Sequence, residues 1–291
     1  MIRTTWHGRM EAMRQTASSM GGRVAELNEQ VSTGKRINRP SDDPGRISQL
    51  HNIRQQLSNQ DVYQTNSTQA EQLLNVADQS LRDIHATLTE ARELAVQFAN
   101  ESYNADQRSE AANVTDSLFE RALSSANVKF NERYIFAGTA YDGAAYGDDG
   151  SYTGSTDHPE VIVGDGITVK TGFDGSASLT SSSDMFAAID GLQDALNAND
   201  TAGIIASLDD IDLALREIEN TRVEVGGEMR RSMDATDLAS NLEVELTQAK
   251  ASIEETNVVD AYSKLVQLQT NFDAAMQVAS MQRYSGLFTR I

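Results

Sequence analysis

The sequence predicts a mainly α protein with a β insert. A long antiparallel helical rod or coiled coil is formed by the N- and C-terminal segments, and a small β-rich domain sits in the middle of the chain. Three observations carry this. Apolar residues recur at alternating steps of four and three near both ends, which marks one seam along a helix. The 291 residues hold only three prolines and 6% aromatics, a balance that suits long helices better than a β sandwich. Residues 134–183 break the pattern, with nine of the nineteen glycines and many Ser and Thr.

The first seam is Trp6, Met10, Met13, Ala17, Met20, Val24, Leu27 and Val31. At 3.6 residues per turn it runs for about seven turns. A core-facing amphipathic helix would show such a stripe. So would a coiled-coil or inter-subunit contact, which the narrowness of the seam and its polar surroundings fit better. Three methionines suit a surface that must fit more than one partner.

The stretch "STGKRINRPSDDPGR", Ser32 to Arg46, follows. Gly34 stands where a left-handed C-terminal cap belongs. Asp42 or Asp43 can cap a new helix, with Pro44 at its first position. Gly34, Lys35, Arg36, Arg39, Pro40, Asp42, Asp43 and Pro44 therefore read as a connector, whose basic residues are expected to meet acidic neighbours. A phosphate loop would need a preceding strand and an earlier glycine. Here a helix precedes, Glu29 holds the glycine position and Arg36 follows Lys35.

The second seam is Ala70, Leu74, Ala77, Leu81, Ile84, Leu88, Ala91, Ala95 and Phe98. The polar interval Gln55 to Gln69 reads as a less tightly packed part of the same helix. "NESYNADQR" breaks the periodicity, and Asn104 with Gln107 has the spacing of a capping box. A helix to about Val128 follows, with Val114, Leu118 and Ala122 expected inward. In the glycine-rich region "YIFAG", "EVIV" and "ITVKT" are candidate strands, and "VGDGI" between the last two is a hairpin signal. Lys170 is the one Lys or Arg there, so a solvated outer face is expected.

Helical patterning resumes at Met185 behind the cap candidates Ser183 and Asp184, with Met185, Ile189, Leu192 and Leu196 on one stripe. After "NANDTAG" come Ile204, Leu208, Ile211, Leu215 and Ile218, and later Leu242, Leu246, Ala249 and Ile253. Gly226 and Gly227 weaken that helix locally, where a bend or register shift is expected. The last seam is Leu265, Leu268, Phe272, Ala275 and Ala279. The expected division is 1–43 with 256–291 as terminal helices and connector, 44–133 with 184–255 as a helical rod, and 134–183 as the β-rich insert.

Composition excludes more than it assigns. A net charge of −19 argues against general nucleic-acid binding. The charge is uneven: residues 1–60 carry nine Lys/Arg against five Asp/Glu, and the remainder fifteen against thirty-eight. Without cysteine there are no disulfides, thiol catalysis or thiolate metal sites. No apolar run approaches the length of a membrane span, and the N-terminus lacks the apolar core of a cleavable signal peptide. His7, His51, His85 and His158 lie far apart, and the Asp/Gly run "YDGAAYGDDGSYTG" does not match a calcium loop. No cofactor, metal or catalysis is expected; the chemistry lies in the surfaces.

"VSTGKRINRPSDDPGR" (Val31–Arg46) resembles the segment after the first helix of the flagellin superfamily, and its "NRPSDDP" form is closer to the hook-associated members than to filament flagellins. "RYIFAGT" (Arg133–Thr139) and "FAAIDGLQDALNANDTAGI" (Phe186–Ile204) are similar to the same family. The resemblance implies a structural component of the bacterial flagellum, linking the hook side to the filament, with a flagellin-type filament subunit as the rival reading. It implies export through the flagellar type III channel without a cleaved signal peptide, and an extracellular location. The terminal helices would line the inner tube, the middle helices would surround them, and the insert would face outward. The implied partners are copies of the chain in a ring, the other hook-associated junction protein, flagellin and an export chaperone, with no membrane insertion. On this view Trp6, Met10, Met13, Met20, Val24, Leu27, Val31, Leu265, Leu268, Phe272, Ala275 and Ala279 form the assembly interface.

Overall fold

The computed structural model describes residues 2–180 and 184–288. The chain divides into two compact units, one built from residues 59–242 and the other from the chain on either side of it. Among the described residues seven helices and four short strands follow in order: α1 (Ile2–Thr33), α2 (Pro44–Phe98), α3 (Ala105–Ala126), β1 (Lys129–Phe130), β2 (Arg133–Tyr134), β3 (Glu160–Gly164), β4 (Ile167–Lys170), α4 (Gly175–Leu179), α5 (Met185–Asn197), α6 (Thr201–Glu254) and α7 (Val258–Phe288).

Within the 59–242 unit the heptad seam of α2 is the spine of the core. From Leu74 to Ala95 every seam residue is fully buried, at 0% exposure. The matching seam of α6 runs Ile204, Ser207, Ile211, Ala214, Ile218, Thr221, Val225, Glu228, Ser232, Ala235 and Ala239, all buried. It passes Gly226 and Gly227 without a break in the helix or in the three-four spacing, so the expected register shift is absent. Both glycines lie on the exposed side, where a missing side chain costs propensity but no packing. Two ion pairs cross between α2 and α6 in antiparallel register, Asp78 with Arg222 and Arg92 with Asp212, and between them His85 faces Glu219.

α3 begins at the capping box foreseen from its spacing. Asn104 Oδ1 accepts from the Gln107 amide at 2.9 Å, and Gln107 Oε1 accepts from the Asn104 amide at 3.1 Å. Its buried face is Arg108, Ala111, Ala112, Thr115, Leu118, Ala122 and Ala126. Leu118 and Ala122 point inward as expected, but Val114 is 47% exposed. At 100° per residue Val114 lies well off the arc shared by Ala111, Thr115, Leu118 and Ala122, and that arc, built partly from Ala and Thr, defines the face. Arg108 is buried and closes two turns at once. Its Nε donates to the Phe98 carbonyl at 3.1 Å, its Nη2 to the Asn100 carbonyl at 3.0 Å, and its Nη1 to Asn199 Oδ1 in the α5–α6 turn.

The glycine-rich region is smaller in strand content than its composition suggests. β1 and β2 form a two-residue hairpin whose turn residues, Asn131 and Glu132, both have positive φ. Of "YIFAG" only Tyr134 lies in a strand. Ile135, Phe136 and Ala137 instead form a buried turn, anchored where the Phe173 amide donates to the Ile135 carbonyl and the Gly175 amide to the Phe136 carbonyl. β3 and β4 pair around Asp165-Gly166, with Gly166 at φ +70°, as the hairpin signal predicts. Lys170 is paired: its Nζ meets Glu224 at 2.7 Å and its amide donates to Glu228. Tyr146 and Phe119 both pack against Phe186 of α5, so the aromatic centre of this region is continuous with the helical core. α5 is capped by Asp184, which accepts from the Phe186 amide; the other cap candidate, Ser183, lies outside the described residues. The five-residue α4 has no periodic signal and is set by its own cap, Asp174.

Candidate assembly surface and its joint

The unit formed by the two ends of the chain is built differently. α1 and α7 pack against each other, antiparallel because one ends and the other begins at the same joint. The seam positions are those the spacing marks. On α1, Met13, Ala17, Met20, Val24, Leu27 and Val31 are each half-buried while the positions between them are mostly exposed. On α7, Ala261 and Leu265 are buried, and Leu268, Phe272 and Ala275 are half-buried. The side chains of Trp6, Met10 and Ala279 lie outside the described residues. A groove of about 350 Å³ opens along this pair, lined by Leu27 and Leu268 together with Arg23 and Lys264. A second stripe on α7, Val259, Tyr262 and Val266, is exposed at 80%, 58% and 44% on the side away from α1.

The physical reason for the half-burial is geometric. A helix seam in a bundle is covered from several sides, whereas one partner helix covers it from one. The pair therefore keeps apolar area in water at nearly every heptad position, and each such leucine has roughly 1.5–3 kcal/mol at stake between exposure and full burial.

The connector is the foot of this pair. Gly34 ends α1 at φ +71°, with its amide donating to the Gln30 carbonyl at 2.9 Å, the left-handed cap the sequence calls for. The two acids divide the work left open between them. Asp43 caps α2, accepting from the Arg46 amide at 3.2 Å. Asp42 closes the preceding turn by accepting from the amides of Asn38 and Arg39 at 2.9 and 2.7 Å. Pro40 lies exposed in that turn, and Pro44 opens α2.

The connector pairs with the α6–α7 junction. The Arg36 and Ile37 amides donate to the Glu254 carbonyl, and the Thr256 amide donates to the Gly34 carbonyl at 3.0 Å. Ile37, Leu50, Ile53 and Ile253 close into a small apolar core beside it. For this reason the compact unit takes in the first turns of α2 and the last turns of α6 as well as the terminal helices.

The basic residues of the connector find their acidic neighbours in the chain itself. Lys35 Nζ meets Glu254 Oε1 at 2.7 Å, and Arg54 Nη2 meets the same oxygen at 3.0 Å. Arg36 bridges Asp43 and the Ile253 carbonyl, and Arg39 pairs with Glu29. The Glu254 side chain is only 3% exposed. Burial pushes its pKa up, but the Lys35 hydrogen bond and the charges of Arg54, Lys35 and Lys250 outweigh it and hold the carboxyl below its usual range. For Asp43 the Arg36 hydrogen bond leads the lowering.

Sequence spacing marks neither Glu254 nor Arg54, because pairing across 200 residues leaves no local signal. Ala261 was within reach: it stands four residues before Leu265 and extends the seam by one step. Among the described residues no three His, Asp or Glu side chains converge on a metal position, and no helix is long and apolar enough to cross a membrane.

Residues 8–141 match the bacterial flagellin N-terminal helical region. The chain is 26% identical to flagellar hook-associated protein 3 of Escherichia coli over 292 aligned positions, covering 90% of this chain and 91% of the relative. It is also 26% identical to the flagellin of Bacillus subtilis, covering 81% of each. The crystal structure of Bacillus cereus FlgL superposes with a TM-score of 0.61 at 24% identity, over 68% of this chain and 98% of that one, a likeness of fold.

Proposed function

We propose that the chain is a hook-associated junction protein of the bacterial flagellum, a structural subunit that links the hook side to the flagellin filament and catalyses no reaction. The observation that carries this reading is the contrast within one chain between a closed helical core and a terminal helix pair whose seams stay half-open. An isolated subunit gains nothing from that exposed area. A ring of copies closes it, because each pair then meets neighbouring pairs and the repeated seams hold together cooperatively.

In this reading residues 1–43 and 256–291 form the inner segment of the assembly, 44–133 with 184–255 the layer around it, and 134–183 the outward face. The assembly interface is the seam from Trp6 to Val31 on α1 and from Leu265 to Ala279 on α7. The partners are copies of the chain in a ring, the other hook-associated junction protein, flagellin, and a cytoplasmic export chaperone before assembly. The protein acts outside the cell, reached by flagellar export.

The likeness to hook-associated protein 3 over nine-tenths of both chains supports the junction role; the flagellin match supports a filament subunit as the second reading. Removing residues 1–31 tests the assignment. The truncated protein is expected to keep the 59–242 unit folded, read by thermal unfolding, and to fail to enter flagella of cells lacking the native protein. Normal incorporation would refute the proposal. Purified full-length protein that grows long filaments unaided would favour the filament subunit instead.

A further inference from the structure

Glu254 is costly where it sits. Its carboxylate is taken out of water, both cations converge on Oε1, and Oε2 is buried without a hydrogen-bond partner. Burying an ion pair in this way adds little strength, because the loss of hydration offsets most of the attraction; what it adds is a penalty for every other arrangement. The backbone pairing at the joint is short and lacks such selectivity by itself. Gly34 to Ile37 meet Glu254 to Thr256 through three hydrogen bonds.

A one-residue slip that brings Ile253 to the place of Glu254 would leave Lys35 and Arg54 facing an apolar side chain, and the opposite slip, which brings Glu255, would keep a carboxylate there but draw Ile253 out of its core with Ile37, Leu50 and Ile53. Either slip would turn α7 by about 100° on its axis. That rotation would take Ala261, Leu265 and Leu268 off α1.

We propose that Glu254 is a register latch: by holding Lys35 of the connector and Arg54 of α2 on one buried oxygen, it fixes the pairing of the two chain crossings and so presents the α7 seam to α1. Its consequence for flagellar assembly rests on the function proposed above; the latch itself is a property of the free chain and is tested there. The charged groups facing Glu254 are Lys35, Arg54 and Lys250, with the Arg36–Asp43–Arg46 cluster next to them. Of these only Glu254 and Asp43 titrate in acid.

The test is amide hydrogen exchange on full-length monomer, native and Glu254→Gln, expressed as protection relative to the unfolded chain. Glu254→Gln keeps the shape and removes the charge. It is expected to lower protection of the Arg36, Ile37 and Thr256 amides by about tenfold, and to lower it along α1 and α7, while amides of residues 70–98 stay as in the native protein. In the native chain the joint loses protection as pH falls below the ordinary carboxyl value of 4.5, because the carboxyl is held lower than that in the folded state. The variant lacks the part of that loss that Glu254 carries. Native-like protection of the joint in Glu254→Gln overturns the proposal, as does an identical acid loss in both proteins, which would assign the titration to the connector acids Asp42 and Asp43. Should Glu254→Gln disturb residues 70–98 as well, Arg54→Gln removes one cation only. A partial loss confined to the joint then supports the latch, and unchanged protection there overturns it.

Discussion

The α2–α6 core and the α1–α7 pair use the same alternation of four and three, yet one seam is dry and the other is not. Leu74, Leu81, Ile84 and Leu88 on α2 are fully buried, while Met20, Val24, Leu27 and Leu268 stop halfway. Nothing in the spacing separates them. The difference lies in what surrounds each helix: within residues 59–242 the α2 stripe belongs to one core shared with α3, α5, α6 and the hairpin region, whereas among the described residues the α1 seam packs against α7. A heptad repeat thus specifies that a seam will be covered without saying whether the cover comes from the same chain.

The largest effect that would test this contrast is expected at the core. Leu81→Ala should lower the stability of the 59–242 unit by about 2–5 kcal/mol through lost burial and the cavity left behind, read from the denaturant midpoint. Next comes Arg108→Met. With the guanidinium gone, the Phe98 and Asn100 carbonyls and Asn199 lose a donor inside the fold, and about 2–3 kcal/mol should be lost in the same measurement. Leu268→Ala should cost the free chain less than Leu81→Ala, about 1 kcal/mol, since that side chain is only partly buried, while reducing incorporation into flagella far more than Leu81→Ala reduces it per unit of stability lost. Equal losses from Leu81→Ala and Leu268→Ala in the free chain would erase the distinction between the two seams.

The long elements were legible because their signals are local and repeated. The α2 seam, the Gly34 cap, the Asn104–Gln107 box and the Asp165-Gly166 hairpin all follow from residues within a few positions of one another. Val114 misled because it is the most apolar residue on its turn, whereas the buried arc of α3 is chosen by what packs against it, down to Ala and Thr. "YIFAG" misled because β-prone residues also serve in buried turns, where carbonyls such as that of Ile135 find distant amides. The joint was half legible. Its stops and starts are local, but the partners of Lys35 and Arg54 come from the far end of α6, and only the fold brings Glu254 to them.

The chain contains no cysteine, so a single introduced thiol reports on one place. Leu268→Cys and Ala77→Cys compare the two seams directly, by the rate of alkylation in the free monomer and again in protein incorporated into flagella. Leu268→Cys should react readily in the monomer and become strongly protected after incorporation, while Ala77→Cys should be protected in both. A Leu268→Cys thiol that reacts as fast in the flagellum as in the monomer would contradict the claim that the α1–α7 seam is completed by other subunits.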